Sequence, residues 1–362
     1  MRPALKALAA QTLVITGATS GIGLATARAA AARGAKLLLV SRNEQALRAL
    51  CEELKARGGT ANFAVADVAD LASVQAAAAR ADELYGGFDT WVNNAGVSVY
   101  GAIADTPLED QRRIFETNYW GVVHGSQVAV EQLKGRADGG TLINIGSVLS
   151  DQAIPVQGVY CASKHAVKGF TNALRMELAR SAPGVSVTLI KPAALDTPFR
   201  DHARNYTGAP VKNPPPIYAA SLVADAILYA AETPTREITV GGGGRALVQF
   251  GQHFPWLAEP LLAWAVPLLS RGASEPSEAK DDALYKAGRD LREHSPYFGV
   301  RQTSLYTAAQ LNPRITAAVI SGALAAGLVM LKARDSLRIH GAKREAVRRY
   351  RANAEARQPV QD

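Results

Sequence analysis

The chain has 362 residues, 48% hydrophobic and 20% charged, a balance that supports a large core and excludes a disordered or fibrous protein. Two cysteines, Cys51 and Cys161, exclude a disulfide framework, and no residues have metal-ligand spacing. The net charge of +8 is uneven: from Lys332 onward nine Lys/Arg face four Asp/Glu, a basic tail that suits an anionic surface or plain solvation.

Residues 1–11 lack the apolar run and cleavage pattern of a secretory signal, so the first domain is expected to stay in the cytoplasm. Strands are predicted at 13–16, 36–40, 62–66, 89–92, 141–145, 185–190 and 237–240. Helices are predicted from the turn after the first strand to about residue 33, then at 44–57, 71–85, 108–133, 159–180 and 221–231. Near-continuous apolar strands alternating with helices predict an α/β fold: a doubly wound parallel sheet of Rossmann type. The irregular stretch 195–216 carries Pro210 and Pro214–Pro215–Pro216, and a loop of that length in a compact domain is usually functional.

After Gly241–Gly244 the composition changes. Residues 254–269 are apolar and interrupted by Pro255, Pro260 and Pro267, and residues 315–331 carry no charge. The expected organisation is an α/β domain at 1–250 and a helical extension at 251–362. As a helix, 315–331 would be about 26 Å long against a hydrocarbon core near 30 Å. The basic tail and the first domain both belong on the cytoplasmic side, which a single span does not allow. Segments 254–269 and 315–331 are therefore expected to lie at a membrane surface, or to pack as soluble helices.

Thr16-Gly17-Ala18-Thr19-Ser20-Gly21-Ile22-Gly23 stands between a predicted strand and a predicted helix. Glycines there permit a tight turn and close approach of a pyrophosphate, and the helix N-terminus offers unpaired N–H groups. The second strand ends in Ser41-Arg42 rather than in an acid. Arg42 can fork onto a 2′-phosphate, which favours NADP(H) over NAD(H). Asp67 and Val68 close the third strand, where Asp67 meets an adenine amino group or caps a helix.

Tyr160 and Lys164, four apart, share one helix face. An ammonium beside a phenol favours phenolate and brings its pKa towards working pH. Ser147, after the fifth strand, can hydrogen-bond a substrate oxygen alongside the phenol.

Together these motifs resemble the short-chain dehydrogenase/reductase family in its compact branch. TGATSGIG matches TGxxxGxG, Asn93-Asn94-Ala95-Gly96 matches NNAG, and Asn118, Ser147 and the Tyr160/Lys164 pair follow in order, the resemblance covering roughly residues 10–245. It implies Tyr160 as general acid, Lys164 on the nicotinamide ribose, Ser147 polarising the carbonyl and Asn118 holding a water that links Lys164 to solvent. Asn94, Ala95 and Gly96 would border the cofactor, with Pro192 and Thr197 beside the nicotinamide. The family's Pro-Gly is here Pro192-Ala193, which puts that turn in question. The expected activity is NADP(H)-dependent interconversion of a carbonyl and an alcohol, of a lipophilic type such as a sterol, retinoid or acyl derivative. The family also implies a homo-oligomer, and a nucleic-acid partner is not expected. A nucleotide-binding scaffold or redox sensor without turnover, and a sugar-nucleotide epimerase, remain alternatives.

Overall fold

The computed structural model describes residues 3–270, 282–288, 290–295 and 297–355, without the side chains of residues 329, 331–342 and 350–355. Seven strands form one parallel sheet: β1 (Thr12–Thr16), β2 (Lys36–Ser41), β3 (Thr60–Val65), β4 (Thr90–Asn93), β5 (Gly140–Ile145), β6 (Val185–Pro192) and β7 (Glu237–Val240). Their spatial order is β7-β6-β5-β4-β1-β2-β3. The order reverses between β1 and β4, so a crevice opens at the carboxyl ends of these two strands.

Alternation of side chains along the strands feeds two cores. Val14, Leu38, Val40, Trp91, Leu142 and Val187 belong to one cluster with residues of α3 (Leu71–Tyr85), α5 (Gly121–Leu133) and α6 (Gly158–Ser181). Leu13, Ile15, Leu37 and Leu39 alternate to the other face and are fully buried. Beyond them Ala25 of α1 (Gly21–Ala32) packs on Ala220 and Ala224 of α7 (Ala220–Glu232). Each such Leu or Ile contributes roughly 1.5–3 kcal/mol by leaving water. Polar side chains set the helix boundaries. Asn43 accepts from the Ala46 N–H to start α2 (Glu44–Ala56), Asp70 caps α3, and Gly86 in the left-handed region ends α3.

The helix expected at 108–133 is divided. Between α4 (Leu108–Phe115) and α5 lies a five-residue π-helical turn, Glu116–Trp120, that contains Asn118. Such a wide turn is a common device for aiming a side chain at a functional site. The stretch 195–216 is partly ordered: Leu195–Asp196 pairs with Tyr218–Ala219, and Arg204–Asn205 with Val99–Tyr100.

The compact unit runs past the expected boundary at 250 to Ala308. It takes in α8 (Gly242–His253), α9 (Pro255–Leu269) and an extended segment beginning at Asp282. Helix α9 continues through Pro260 and Pro267, and Pro255 in its first turn is compatible with a helix start. A short helix, α10 (Leu305–Leu311), follows. The second unit, 309–362, contains α11 (Pro313–Glu355), 43 residues long, which absorbs 315–331. Ile315, Val319, Ile320, Leu324 and Leu328 are exposed along it. Among the described residues no single helix is long and apolar enough to cross a membrane, although α10 and the first turns of α11 pass together by length and composition.

Candidate active site

The glycine turn is stitched to the end of β4. Asn94 donates its side-chain amide to the carbonyls of Thr16 (2.9 Å) and Gly17 (3.1 Å). The N–H groups of Asn94 and Ala95 donate to Thr16 Oγ1. The close approach explains the glycine at 23. A Cβ there would lie 2.1 Å from the Gly17 carbonyl oxygen and 2.7 Å from Asn94 Nδ2. Ser20 stands at the N-cap of α1 without capping it through its side chain, and Ile22 opens the first turn beside Gly21. Thr197 is buried with its methyl against Gly21, and Pro192 ends β6.

Ala193 resolves the question raised by the missing glycine. It is absent from the positive-φ positions, so this turn does not need one. Its methyl occupies space left by two other glycines: a Cβ on Gly244 or Gly241 would come within 2.6 or 2.8 Å of it.

At the ends of β2 and β3, Ser41 Oγ lies 2.9 Å from Thr19 Oγ1. Asp67 accepts from the Ala69 N–H and pairs with Arg113 at 2.5 Å. Burial works to raise its pKa, but Arg113 and that N–H outweigh it and hold the carboxyl below its ordinary value. Asp70, not Asp67, caps α3. The Val68 carbonyl meets His124 Nδ1 at 3.0 Å, and its side chain fills the space left by Gly121. Arg42 was expected to be free for a phosphate. It instead donates to the carbonyl of Ala283 (2.5 Å), with the Leu284 carbonyl at 3.5 Å. Neither Arg113 nor residues 283–284 carry a sequence signal for this role, because they approach only through the fold.

The catalytic candidates converge. Tyr160 and Lys164 are buried on α6, with Nζ 5.8 Å from the phenol ring centroid. Lys164 Nζ donates to the Ile145 carbonyl at the end of β5 (2.8 Å), leaving two further donor positions. Asn118 is fully buried and clamps Val97 through both backbone groups, and its Nδ2 also donates to Ser163 Oγ. Gly96 sits between Asn118 and Lys164, since a Cβ there would lie 3.4 Å from Asn118 Oδ1 and 3.9 Å from Lys164 Nζ. Ser147 accepts from the Leu149 N–H and caps the short helix 148–150.

The electrostatics depart from the sequence expectation. Burial raises the Tyr160 pKa, and the hydrogen bond with Ser147, not Lys164, is what opposes it. Burial lowers Lys164 to about 8. Both charged forms are penalised by the same loss of water. The phenol is thereby held protonated at neutral pH.

Ser147, Tyr160 and Lys164 line one cavity of about 480 Å³, whereas Asn118 lies behind its wall. It runs from the glycine turn and Arg42, past Asn94 and Gly96, to Ser147 and Tyr160. Beyond the phenol its wall is apolar: Ile154, Phe199, Leu247, Leu262, Val266 and Leu269, the last three from α9. Thr117 Oγ1, in the π turn, lines it too and is buried without a hydrogen-bond partner. The close-approach glycine and this orphaned hydroxyl fit a dinucleotide lying along the carboxyl edge of the sheet.

Comparison with known proteins agrees with this geometry. The family model described as short chain dehydrogenase matches residues 11–207. A Bacillus subtilis protein named uncharacterized oxidoreductase YxnA is 42% identical over 324 residues, covering 89% of this chain and 91% of its own. The chain belongs to the short-chain dehydrogenase/reductase family. Mouse dehydrogenase/reductase SDR family member 7B is 38% identical over 189 residues, a match that spans 58% of its length. Among solved structures, a short-chain dehydrogenase/reductase from Burkholderia phymatum in complex with NAD is 28% identical with a TM-score of 0.62, covering 74% of this chain and 98% of its own. An alcohol dehydrogenase from Thermococcus sibiricus complexed with 5-hydroxy-NADP is 26% identical with a TM-score of 0.56, covering 64% and 95%. The family match ends at residue 207, so α9 and the segment after Asp282 lie outside it.

Proposed function

We propose that this oxidoreductase interconverts a lipophilic carbonyl and its secondary alcohol, with NADP(H) as cofactor. The observation that carries the reading is the convergence of Ser147, Tyr160 and Lys164 on a cavity that joins the glycine turn to an apolar chamber. The nicotinamide supplies or accepts the hydride. Tyr160 delivers the proton to the substrate oxygen, and its raised pKa suits donation in the direction of reduction. Ser147 orients that oxygen by hydrogen bonding, and Lys164 offers its remaining N–H groups to a ribose. Gly17, Thr19, Ser20, Ile22 and Gly23 would hold the pyrophosphate, and Thr197 the nicotinamide side. Asn118 fixes the strand end around Val97. A passive scaffold has no use for this cluster. A thiol-based sensor is disfavoured because Cys51 is buried and pushed up to about 11, and Cys161 is raised likewise.

NADP(H) is favoured by the partners of Arg42. Its hydrogen-bond acceptors are neutral carbonyls, and burial lowers its pKa with only partial relief from Asp67 and Asp290, neither of which is hydrogen-bonded to it. A 2′-phosphate would supply the missing counter-charge. Fluorescence titration with NADPH and with NADH tests the cofactor, and turnover of Tyr160→Phe tests the chemistry. The expected outcome is tighter NADPH binding, with turnover lost by at least a thousandfold in the variant and cofactor affinity retained. Tighter NADH binding would overturn the Arg42 argument, and an active Tyr160→Phe would overturn the mechanism.

The lipophilic substrate class rests on α9. Its inner face, with Leu262, Val266 and Leu269, walls the chamber. On its outer face Trp256 and Trp264 are 70% and 69% exposed. Exposed tryptophans within an apolar helix favour a lipid interface. We therefore place the enzyme in the cytoplasm, peripheral to a membrane from which its substrate enters beneath α9. Co-sedimentation with phosphatidylglycerol/phosphatidylcholine vesicles should pellet the protein, and Trp256→Ser/Trp264→Ser should reduce pelleting at least fivefold. Protein that stays wholly in the supernatant would sink the membrane reading.

A further inference from the structure

The segment from Asp282 to Ser295 crosses the mouth of the cofactor cavity. At its start Asp282 pairs with Arg204 at 2.9 Å, and Arg204 also reaches the buried Asp110. Tyr285 donates its hydroxyl to the same Asp110 at 2.9 Å. The Ala283 N–H donates to the His202 carbonyl. Leu284 is fully buried in an apolar cluster with Val97, Val99 and Ile114. These contacts fasten one end beside the substrate loop.

The middle of the segment faces the dinucleotide floor. The first end is also held from the floor, where Arg42 donates to the Ala283 carbonyl and Arg113 to the Leu284 carbonyl at 3.0 Å. The Leu291 N–H donates to the Thr19 carbonyl (2.8 Å), and the Gly21 N–H donates to the Arg292 carbonyl (3.0 Å). Leu291 holds φ at 65°, a left-handed conformation that a leucine seldom adopts unless its surroundings impose it. Arg28 on α1 pairs with Glu293 at 3.3 Å. The far end returns to the substrate side, where Asp196 accepts from the Ser295 N–H and meets His294 Nδ1, and Ser295 Oγ donates to Asp201.

Ala283, Ala287, Gly288 and Asp290 line the same cavity as Gly17, Ser41 and Arg42. The segment therefore roofs the adenosine half of the site, held at both ends and in the middle. We propose that the described residues 282–288 and 290–295 form a strap that gates the nicotinamide dinucleotide, which exchanges only when the strap opens. This rests on the dinucleotide-binding reading above. The latches are ion pairs and backbone hydrogen bonds with little apolar burial beyond Leu284, a construction that can open without unfolding the sheet beneath. A strap that must lift for entry and exit alike slows both steps.

Stopped-flow fluorescence of the full chain with NADPH tests the gate, with Asp282→Asn/Glu293→Gln as the latch variant. Both association and release of NADPH should accelerate at least tenfold over wild type. Release within twofold of wild type would overturn the strap as a gate. Hydrogen exchange on wild-type protein supplies an independent reading, needing no variant: peptides covering 282–295 should gain protection with saturating NADPH. Unchanged exchange there would also overturn the proposal. If wild type binds neither NADPH nor NADH, the dinucleotide reading fails and the strap proposal with it. Binding with unchanged rates refutes the strap alone.

Discussion

The floor and the roof of the cavity meet the same space but are fixed by different means. The floor, at the ends of β1, β2, β4 and β5, grows from parallel strands whose leucines, isoleucines and valines are fully buried on both faces. The roof, residues 282–295, has no regular secondary structure where it is described. It is tied down by Arg42, Arg113, Arg204 and Arg28 and by the N–H groups of Leu291 and Gly21. Buried ladders and packing open only with the whole core, whereas part-exposed ion pairs contribute little singly and are screened by salt. A rigid floor fixes the position of the chemistry, and a loosely latched roof lets a large cofactor in.

The largest effect that would break this contrast lies in the floor. Gly23→Ala places a methyl 2.1 Å from the Gly17 carbonyl oxygen and 2.8 Å from its carbonyl carbon, and backbone cannot yield as a side chain end can. The turn must open, at a cost of roughly 1–3 kcal/mol as for other overpacked sites. NADPH affinity in a fluorescence titration should fall at least a hundredfold, with a lower Tm for the apoprotein. Affinity within threefold of wild type would mean that the glycine turn does not hold the cofactor. The floor would then be no more exacting than the roof.

The floor was legible in the sequence because its constraints are local. A glycine that must be a glycine, a tyrosine and lysine one helical turn apart, and apolar strands of five or six residues all leave patterns within short windows. The π turn that aims Asn118 leaves none, since one wide turn barely changes the periodicity of a helix. The role of Arg113 was invisible, because its partners Asp67 and Leu284 lie far along the chain in opposite directions. Arg42 was found as a residue, but its engagement by Ala283 was not foreseeable from a segment that lacks apolar periodicity. The Pro192-Ala193 departure looked like a threat to the nicotinamide turn. It is answered at Gly241 and Gly244, some fifty residues away, where absent side chains make room for the extra methyl. Helix α9 keeps its course through Pro260 and Pro267, with Ala258 and Val266 buried.

A smaller effect sharpens the comparison because it belongs to the floor alone. In an unfolded chain Lys164 would titrate at its ordinary 10.5, whereas burial in the folded protein lowers it to about 8. Below pH 8 both states carry the proton. Between pH 8 and 10.5 the folded protein has released it and the unfolded chain has not, so the unfolded state binds more protons and stability rises with pH. The separation corresponds to about 3 kcal/mol. Lys164→Met keeps the length of the side chain and removes the titration. Without cofactor, the unfolding free energy of wild type relative to this variant should therefore increase by about 3 kcal/mol between pH 7 and pH 10.5, read from urea curves at each pH. Any constant offset from the lost Ile145 hydrogen bond cancels in that difference. Parallel pH profiles would show that Lys164 sits in water rather than buried against the end of β5. At neutral pH the protein thus keeps a buried, charged lysine at a cost in stability, which the role proposed for it beside Tyr160 would explain.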